Sequence, residues 1–326
     1  MKFELAKVTW LSISAAAWFA CANGTSNAAE PYTFARPIGV FDIFAAELPQ
    51  EPGLYGLALQ NFGTYDSTNG RDGNSVFSDT SGRRYIAAFG PLYIFPEQVM
   101  GGRMATSLVL GYGRNQLTVT KTIPGLSADN WGLYDATADL FWQKSFYDFS
   151  GRKNVKGEYS GPPPGFSFGG GLSVNIPIGA FDDAVVGNTG KNCWVLAPNV
   201  AVTYRTHPIF LDGTEFSGRL FYNYVSERIK NDYTDGDYIN LDWAITERYN
   251  RFQFGLAGAL GWQIEDDKGP GVGPGGQRTS AVMLGALLSV DLPELGSRVT
   301  VKYLESVSGE YSTGGKTLSA KWIVKF

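Results

Sequence analysis

The residues best suited to covalent chemistry are few. His207 is the only histidine among the 326 residues, and Pro208 follows it at once. A lipid hydrolase would need that imidazole beside a serine nucleophile at the membrane face, and no nucleophile-bearing strand reads as its neighbour. Cys21 and Cys193 are the only cysteines. If a leader containing Cys21 is removed, Cys193 stands alone, which leaves no disulfide framework and no thiolate metal site. The run Gly269-Pro270-Gly271-Val272-Gly273-Pro274-Gly275-Gly276 has the glycine density of a phosphate loop. It lacks a following Lys-Ser/Thr, and its prolines remove amides that a phosphate needs; it reads as an outer loop. Asp232, Asp235 and Asp237, and the triplet Glu265-Asp266-Asp267, lack EF-hand spacing and read as solvated loop carboxylates. The expectation is no catalysis, no metal and no cofactor.

Polar residues two apart, facing a common interior, offer a different chemistry. Taken by parity, this set is Asp135, Asp139, Asn175, Asn199, Arg219, Asn223, Asn240, Asp242, Arg251, Gln253 and Gln263. Lining a lumen, charges of both signs would set a transverse field that selects permeants. Paired with each other across a filled lumen, they would instead stiffen the barrel without conducting, since buried charges are almost always paired.

The elements that must carry this set are strands. In Arg251 to Glu265 one parity reads Phe252, Phe254, Leu256, Gly258, Leu260, Trp262, Ile264, and the other is polar or small. Ile239, Leu241, Trp243 and Ile245 alternate likewise with Tyr238, Asn240, Asp242, Ala244 and Thr246. The chain closes on Leu318, Ala320, Trp322, Val324 and Phe326 alternating with mostly polar residues, a strand with a terminal aromatic. Trp322, Val324 and Phe326 read as a barrel-assembly signal. A period of two over roughly ten residues fits a strand with lipid on one face and a polar lumen on the other. The fold class expected is all-β, a transmembrane antiparallel up-and-down β-barrel of about twelve strands. Their spans are 54–65, 83–94, 102–113, 132–143, 166–178, 193–205, 214–226, 237–247, 251–264, 279–290, 298–306 and 316–326. The second and third are the weakest patterns. Pro198 interrupts the sixth and calls for a bulge or an early strand end.

Composition agrees. Mean hydropathy is −0.12, and beyond the N-terminal stretch no run approaches 18 uncharged apolar residues, as expected when half of each strand is polar. Aromatic content of 14% and 41 glycines suit interfacial girdles and tight turns. A net charge of −4 argues against a nucleic-acid partner. Residues 1–29 read as a secretory signal, cut after residue 22 or after 28–29, with a charged start and an Ala-rich apolar run. Residues 30–51 then precede a barrel over 52–326. They could fold into the lumen as a plug, but a tail on the periplasmic base is the expected placement. If Phe326 ends at the periplasmic rim, connections there should be short. Ser145 to Gly165, with Pro162-Pro163-Pro164, is a long one on that side. It implies either a miscounted early strand or a periplasmic excursion.

Several segments resemble the outer-membrane proteins of the phenol meta-degradation pathway, a family of transporter-like barrels. They are Pro52-Gly53-Leu54-Tyr55, Gly132-Leu133-Tyr134-Asp135-Ala136, Pro177-Ile178-Gly179-Ala180-Phe181, Asn231 to Tyr238 leading into Leu241-Asp242-Trp243-Ala244, and Gly255 to Trp262 with Glu265 to Gly269. Ile178 and Phe181 depart from the family's Thr and Tyr. The resemblance implies a channel or transporter in the bacterial outer membrane, for aromatic or other hydrophobic small molecules. Its partners would be the lipid bilayer and lipopolysaccharide, the barrel-assembly machinery and the permeant. The alternative is a closed-lumen barrel with a structural or surface-adhesive role.

Overall fold

A computed structural model of the chain describes residues 33–77, 80–118, 127–148, 161–185, 187–270, 272 and 276–326. The proposed signal, and residues 30–32 of the segment after it, lie outside these residues. Fourteen strands form one sheet. They are β1 Gly53–Asn69, β2 Ser75–Phe77, β3 Ser81–Val99, β4 Gly102–Thr118, β5 Ser127–Leu133, β6 Ala136–Tyr147 and β7 Gly165–Ile176, followed by β8 Val195–Arg205, β9 Thr214–Val225, β10 Tyr238–Tyr249, β11 Phe252–Gln263, β12 Ser280–Leu292, β13 Ser297–Ser308 and β14 Ser312–Lys325. Long strands pair with their sequence neighbours, and β14 pairs back onto β1 from Tyr55↔Lys325 to Asn69↔Ser312. The result is a closed antiparallel barrel, so no edge is left to be satisfied in lipid.

The barrel has twelve staves. β2 is a short appendage on β1. β5 and β6 are two halves of one stave: β5 pairs with the later half of β4 and β6 with its earlier half. The stave is interrupted at Tyr134 and Asp135. All twelve expected strands are present, several longer than their sequence pattern. The early count therefore stands, and β6 ends and β7 begins at the end of the barrel where β1 begins and β14 ends, the periplasmic end.

Alternation is carried through to burial. Along β8 every residue switches face, with Val195, Ala197, Asn199, Ala201, Thr203 and Arg205 buried and Leu196, Val200, Val202 and Tyr204 exposed. Exposed here means lipid-facing. Aromatics cluster at both rims of that surface. Phe146 stacks on Phe168 and Tyr204 on Phe216 toward the periplasmic end, while Tyr112 lies against Trp131 toward the other. This is the girdle pattern of an outer-membrane barrel.

Pro198 produces neither the bulge nor the early strand end that the sequence calls for. Its pairing with Leu172 of β7 is intact, whereas the β9 ladder skips Ala197 and Pro198 and resumes at Asn199↔Phe221 in the same register. The missing N–H is felt on one side only, and the continuous β7 ladder holds the strand in place.

Candidate functional site

The site is the lumen, and it is occupied by the chain's own N-terminal segment. Residues 33–51 do not lie on the periplasmic base. Residues 33–47 run inside the barrel, mainly against the β7–β13 wall, because that wall offers side-chain acceptors to a backbone with no strand partner. Arg103 of β4 then donates to the carbonyls of Leu48 and Pro49, and Gln50 and Glu51 are exposed. The Asp242 carboxylate of β10 accepts from the backbone N–H groups of Gly39 (2.8 Å), Val40 (2.9 Å) and Phe41 (3.0 Å). Glu215 accepts from Phe44 N–H at 2.8 Å, Ser217 from Ala45 at 2.9 Å and Thr203 from Ala46 at 3.1 Å. Tyr238 both accepts from the Arg36 N–H and donates to its carbonyl. Gly39 has φ +76°, and a Cβ there would stand 3.0 Å from the Leu304 side chain, so glycine suits both the turn and the fit.

Charges fix the segment further. Asp42 is buried, and its carboxylate receives Lys302 at 2.9 Å and Lys321 at 2.7 Å from β13 and β14. Burial alone would push this carboxyl up, but the two ammonium groups outweigh it and hold it at about 2. Glu47 meets Arg205 at 2.9 Å, and Arg205 also bonds Glu215 at 2.9 Å. The ring of Phe41 faces the Arg219 guanidinium at 4.3 Å, and that of Phe44 faces Arg298 at 3.7 Å.

Of the expected inward residues, Asp139 pairs with Arg219 at 3.0 Å, and Arg219 also donates to Asn199 at 2.8 Å. Asn223 donates to Asn240, and Asn240 to Asp242, a chain of amides ending at the segment's main anchor. Asn175 accepts from Thr137, and Gln253 links Arg248 to Thr246. Asp135 accepts from the N–H groups of Gly179 and Lys191, tying the loop between β7 and β8 to the stave break. Gln263 bonds Asp267 and Thr279 near the loop end. Arg251 is a correction. It stands in the turn before β11, where it pairs with exposed Glu294 at 2.7 Å, because strand pairing begins one residue later, at Phe252. Trp322 is lipid-facing on β14, and the backbone of Phe326 closes onto the carbonyl of Leu54.

Of the loop carboxylates, Asp235, Asp237 and Asp267 are buried against protein partners, whereas Asp232 and Glu265 are exposed, as the sequence reading expects, and Asp266 is half-buried. Asp235 pairs with Arg228, Asp266 with Arg278 and Glu265 with Lys268. Asp267 accepts from Tyr233 and Gly236, and burial followed by the neighbouring Asp235 charge pushes its carboxyl up. His207 meets Asp148 at 2.9 Å at the periplasmic end.

The segment leaves part of the lumen open. A cavity of about 970 Å³ remains, and Leu57, Leu59, Ile86, Leu92, Val109 and Ile323 of β1, β3, β4 and β14 line it. These are inward positions, so β1, β3 and β4 are largely apolar on both faces, while β14 also turns Thr317, Ser319 and Lys321 to the cavity.

Residues 65–322 match the family model described as "Putative MetA-pathway of phenol degradation". The chain belongs to that family. Among solved structures, an outer membrane channel from Pseudomonas putida F1 is similar, with 14% identity and a TM-score of 0.70. That match covers 88% of this chain and 100% of the other. The β domain of the Bordetella autotransporter BrkA is similar at 15% identity and a TM-score of 0.45, over 85% of this chain and 100% of that one. No curated protein matches. In this phenol-degradation family barrel, parity missed Asp42, Glu47, Arg205, Glu215 and Lys302. Arg205, Glu215 and Lys302 do sit on the inward rows of their strands, so extending the same alternation would have found them. The apolar inward row of β1, β3 and β4 gives no such signal.

Proposed function

We propose that this barrel is an outer-membrane channel that passes small aromatic or otherwise hydrophobic compounds. The observation that carries the reading is the residual cavity. It runs between the seated segment and a wall that carries Leu57, Leu59, Ile86, Leu92 and Val109, an aliphatic surface that stabilises an apolar solute. Family membership and the likeness in fold to an outer membrane channel support it. On this reading residues 33–51 act as a plug that narrows the path. Residues 1–29 direct secretion, and the C-terminal strand with Trp322, Val324 and Phe326 presents the chain to the assembly machinery in a bilayer faced with lipopolysaccharide.

The extensive ion pairing of the lumen favours a second reading, a sealed barrel with a structural or adhesive role. Single-channel conductance of the refolded chain in a planar bilayer separates the two. Salt-dependent openings, larger without residues 30–51, support the channel. Silence from both forms, together with no protein-dependent uptake of toluene-sized solutes into liposomes, would count against it.

A further inference from the structure

Most lumenal cations have a carboxylate partner; buried Arg36 instead lies over the Phe221 ring at 4.2 Å, and Arg84 on β3 has neither. Lys302 and Lys321 meet Asp42, Arg205 meets Glu47 and Glu215, Arg219 meets Asp139, and Arg248 and Arg298 share Asp291. Arg84 lines the cavity, and among the described residues it enters no ion pair and no hydrogen bond; its Nε is buried and unsatisfied. Gly63 of β1 stands opposite it. Because Gly63 has no side chain, the guanidinium lies across the space it leaves. A Cβ at Gly63 would be 3.6 Å from Nε and 3.7 Å from Nη2. One inward step along β1 is Asn61, which also lines the cavity and whose Oδ1 is likewise buried without a partner. Leu57, Leu59, Ile86 and Val109 continue the same wall as apolar surface.

Arg84 is half-buried and only its Nε is shut off from solvent; leaving that charge unpaired beside such a wall still carries a desolvation cost. The cost is offset if the partner arrives from outside. A planar guanidinium takes a carboxylate through two parallel N–H···O bonds; the Asn61 amide offers its Nδ2 as a further donor, while its orphaned Oδ1 is an acceptor that a carboxylate does not satisfy. A neutral alcohol or phenol would leave the charge uncompensated. We propose that Arg84, with Asn61 beside it, is the head-group site for monocarboxylates with an apolar aromatic or aliphatic body, the body lying along the aliphatic wall. This rests on the reading of the cavity as the permeant's path and names the class of permeant it holds.

The test is calorimetric titration of 3-phenylpropanoate, and of neutral 3-phenylpropanamide, onto the full folded chain in lipid nanodiscs. The acid is expected to bind at least ~10-fold tighter than the amide, the value of one charge-assisted pair. In Arg84→Gln the acid should fall to the amide's affinity, with amide binding unchanged. Arg84→Lys keeps a point charge and loses the fork; it should fall between, and it carries the test if heat-modifiable gel mobility shows Arg84→Gln unfolded. Equal affinities in the wild type, or an acid preference that both variants retain, overturn the site. Conductance is measured separately. Openings without acid preference sink the site and leave the channel standing, whereas acid preference without openings or uptake does the reverse.

Discussion

At the scale of residues, Asp42 is the pin that holds the N-terminal segment. Its side chain is 3% exposed and lies between two lysines. The carboxyl is held at about 2 against an ordinary 3.8. A seated-state value below the free value means the contribution is present above about pH 4 and lost as pH falls toward 2. The difference corresponds to roughly 2 kcal/mol in favour of the seated segment. Bilayer current through the refolded chain is therefore expected to rise between pH 4 and pH 2, and Asp42→Asn should show most of that rise already at pH 7. A current that is flat across this range, with Asp42→Asn like wild type, would mean the pin does not hold the segment. Little of this was legible beforehand. Lys321 falls on the polar parity of the last strand, but the pair spans 279 residues, and no local period joins two such positions.

At the scale of elements, legibility followed the chemistry of the inner face. β8, β10 and β11 pack polar side chains inward and apolar ones outward, so period two stands clear in the sequence. β1, β3 and β4 present Leu57, Leu59, Ile86 and Val109 to the cavity and leucines and aromatics to lipid. With both faces apolar the period fades, which is why the second and third strands read weakest. The same region has the most interrupted ladder. Between β3 and β4 pairing passes from Phe89↔Leu110 to Leu92↔Ser107, omitting Gly90 and Pro91, and the register shifts between Ile94 and Gln98. Pro91 cannot donate, and a Cβ at Gly90 would lie 1.8 Å from the Leu108 carbonyl oxygen, so β4 crosses close over a residue that has to be small. Backbone amides of residues 107–109 are expected to exchange faster than those of 111–116 on the same strand. Pro91→Val should slow them, and uniform protection along β4 would show that the gap has no energetic consequence.

At the scale of the whole molecule, the barrel and its occupant are separable. Every stave is paired on both sides, so closure does not depend on residues 33–51. The occupant uses side chains that the barrel would otherwise leave facing one another, among them Asp242, Glu215, Lys302 and Lys321. The segment also has a sign. It carries Arg36 against Asp42, Glu47 and Glu51, so it is net acidic, and these carboxylates meet Lys302, Lys321, Arg205 and Lys325 of the barrel. Removing it should therefore widen the path and also leave Lys302, Lys321 and Lys325 without their carboxylate partners, while Arg205 keeps Glu215. A chain lacking residues 33–51 is expected to keep its heat-modifiable mobility, to conduct several-fold more, and to shift its reversal potential in a KCl gradient toward chloride, since unpaired cations lining a low-dielectric path favour anions. Larger conductance with unchanged selectivity would mean that the freed lysines re-pair with Glu215, Asp242 and Asp291 across the emptied lumen. The segment would then act by volume alone. The shift and the size of the current thus report two separate properties of one segment, its charge and its bulk.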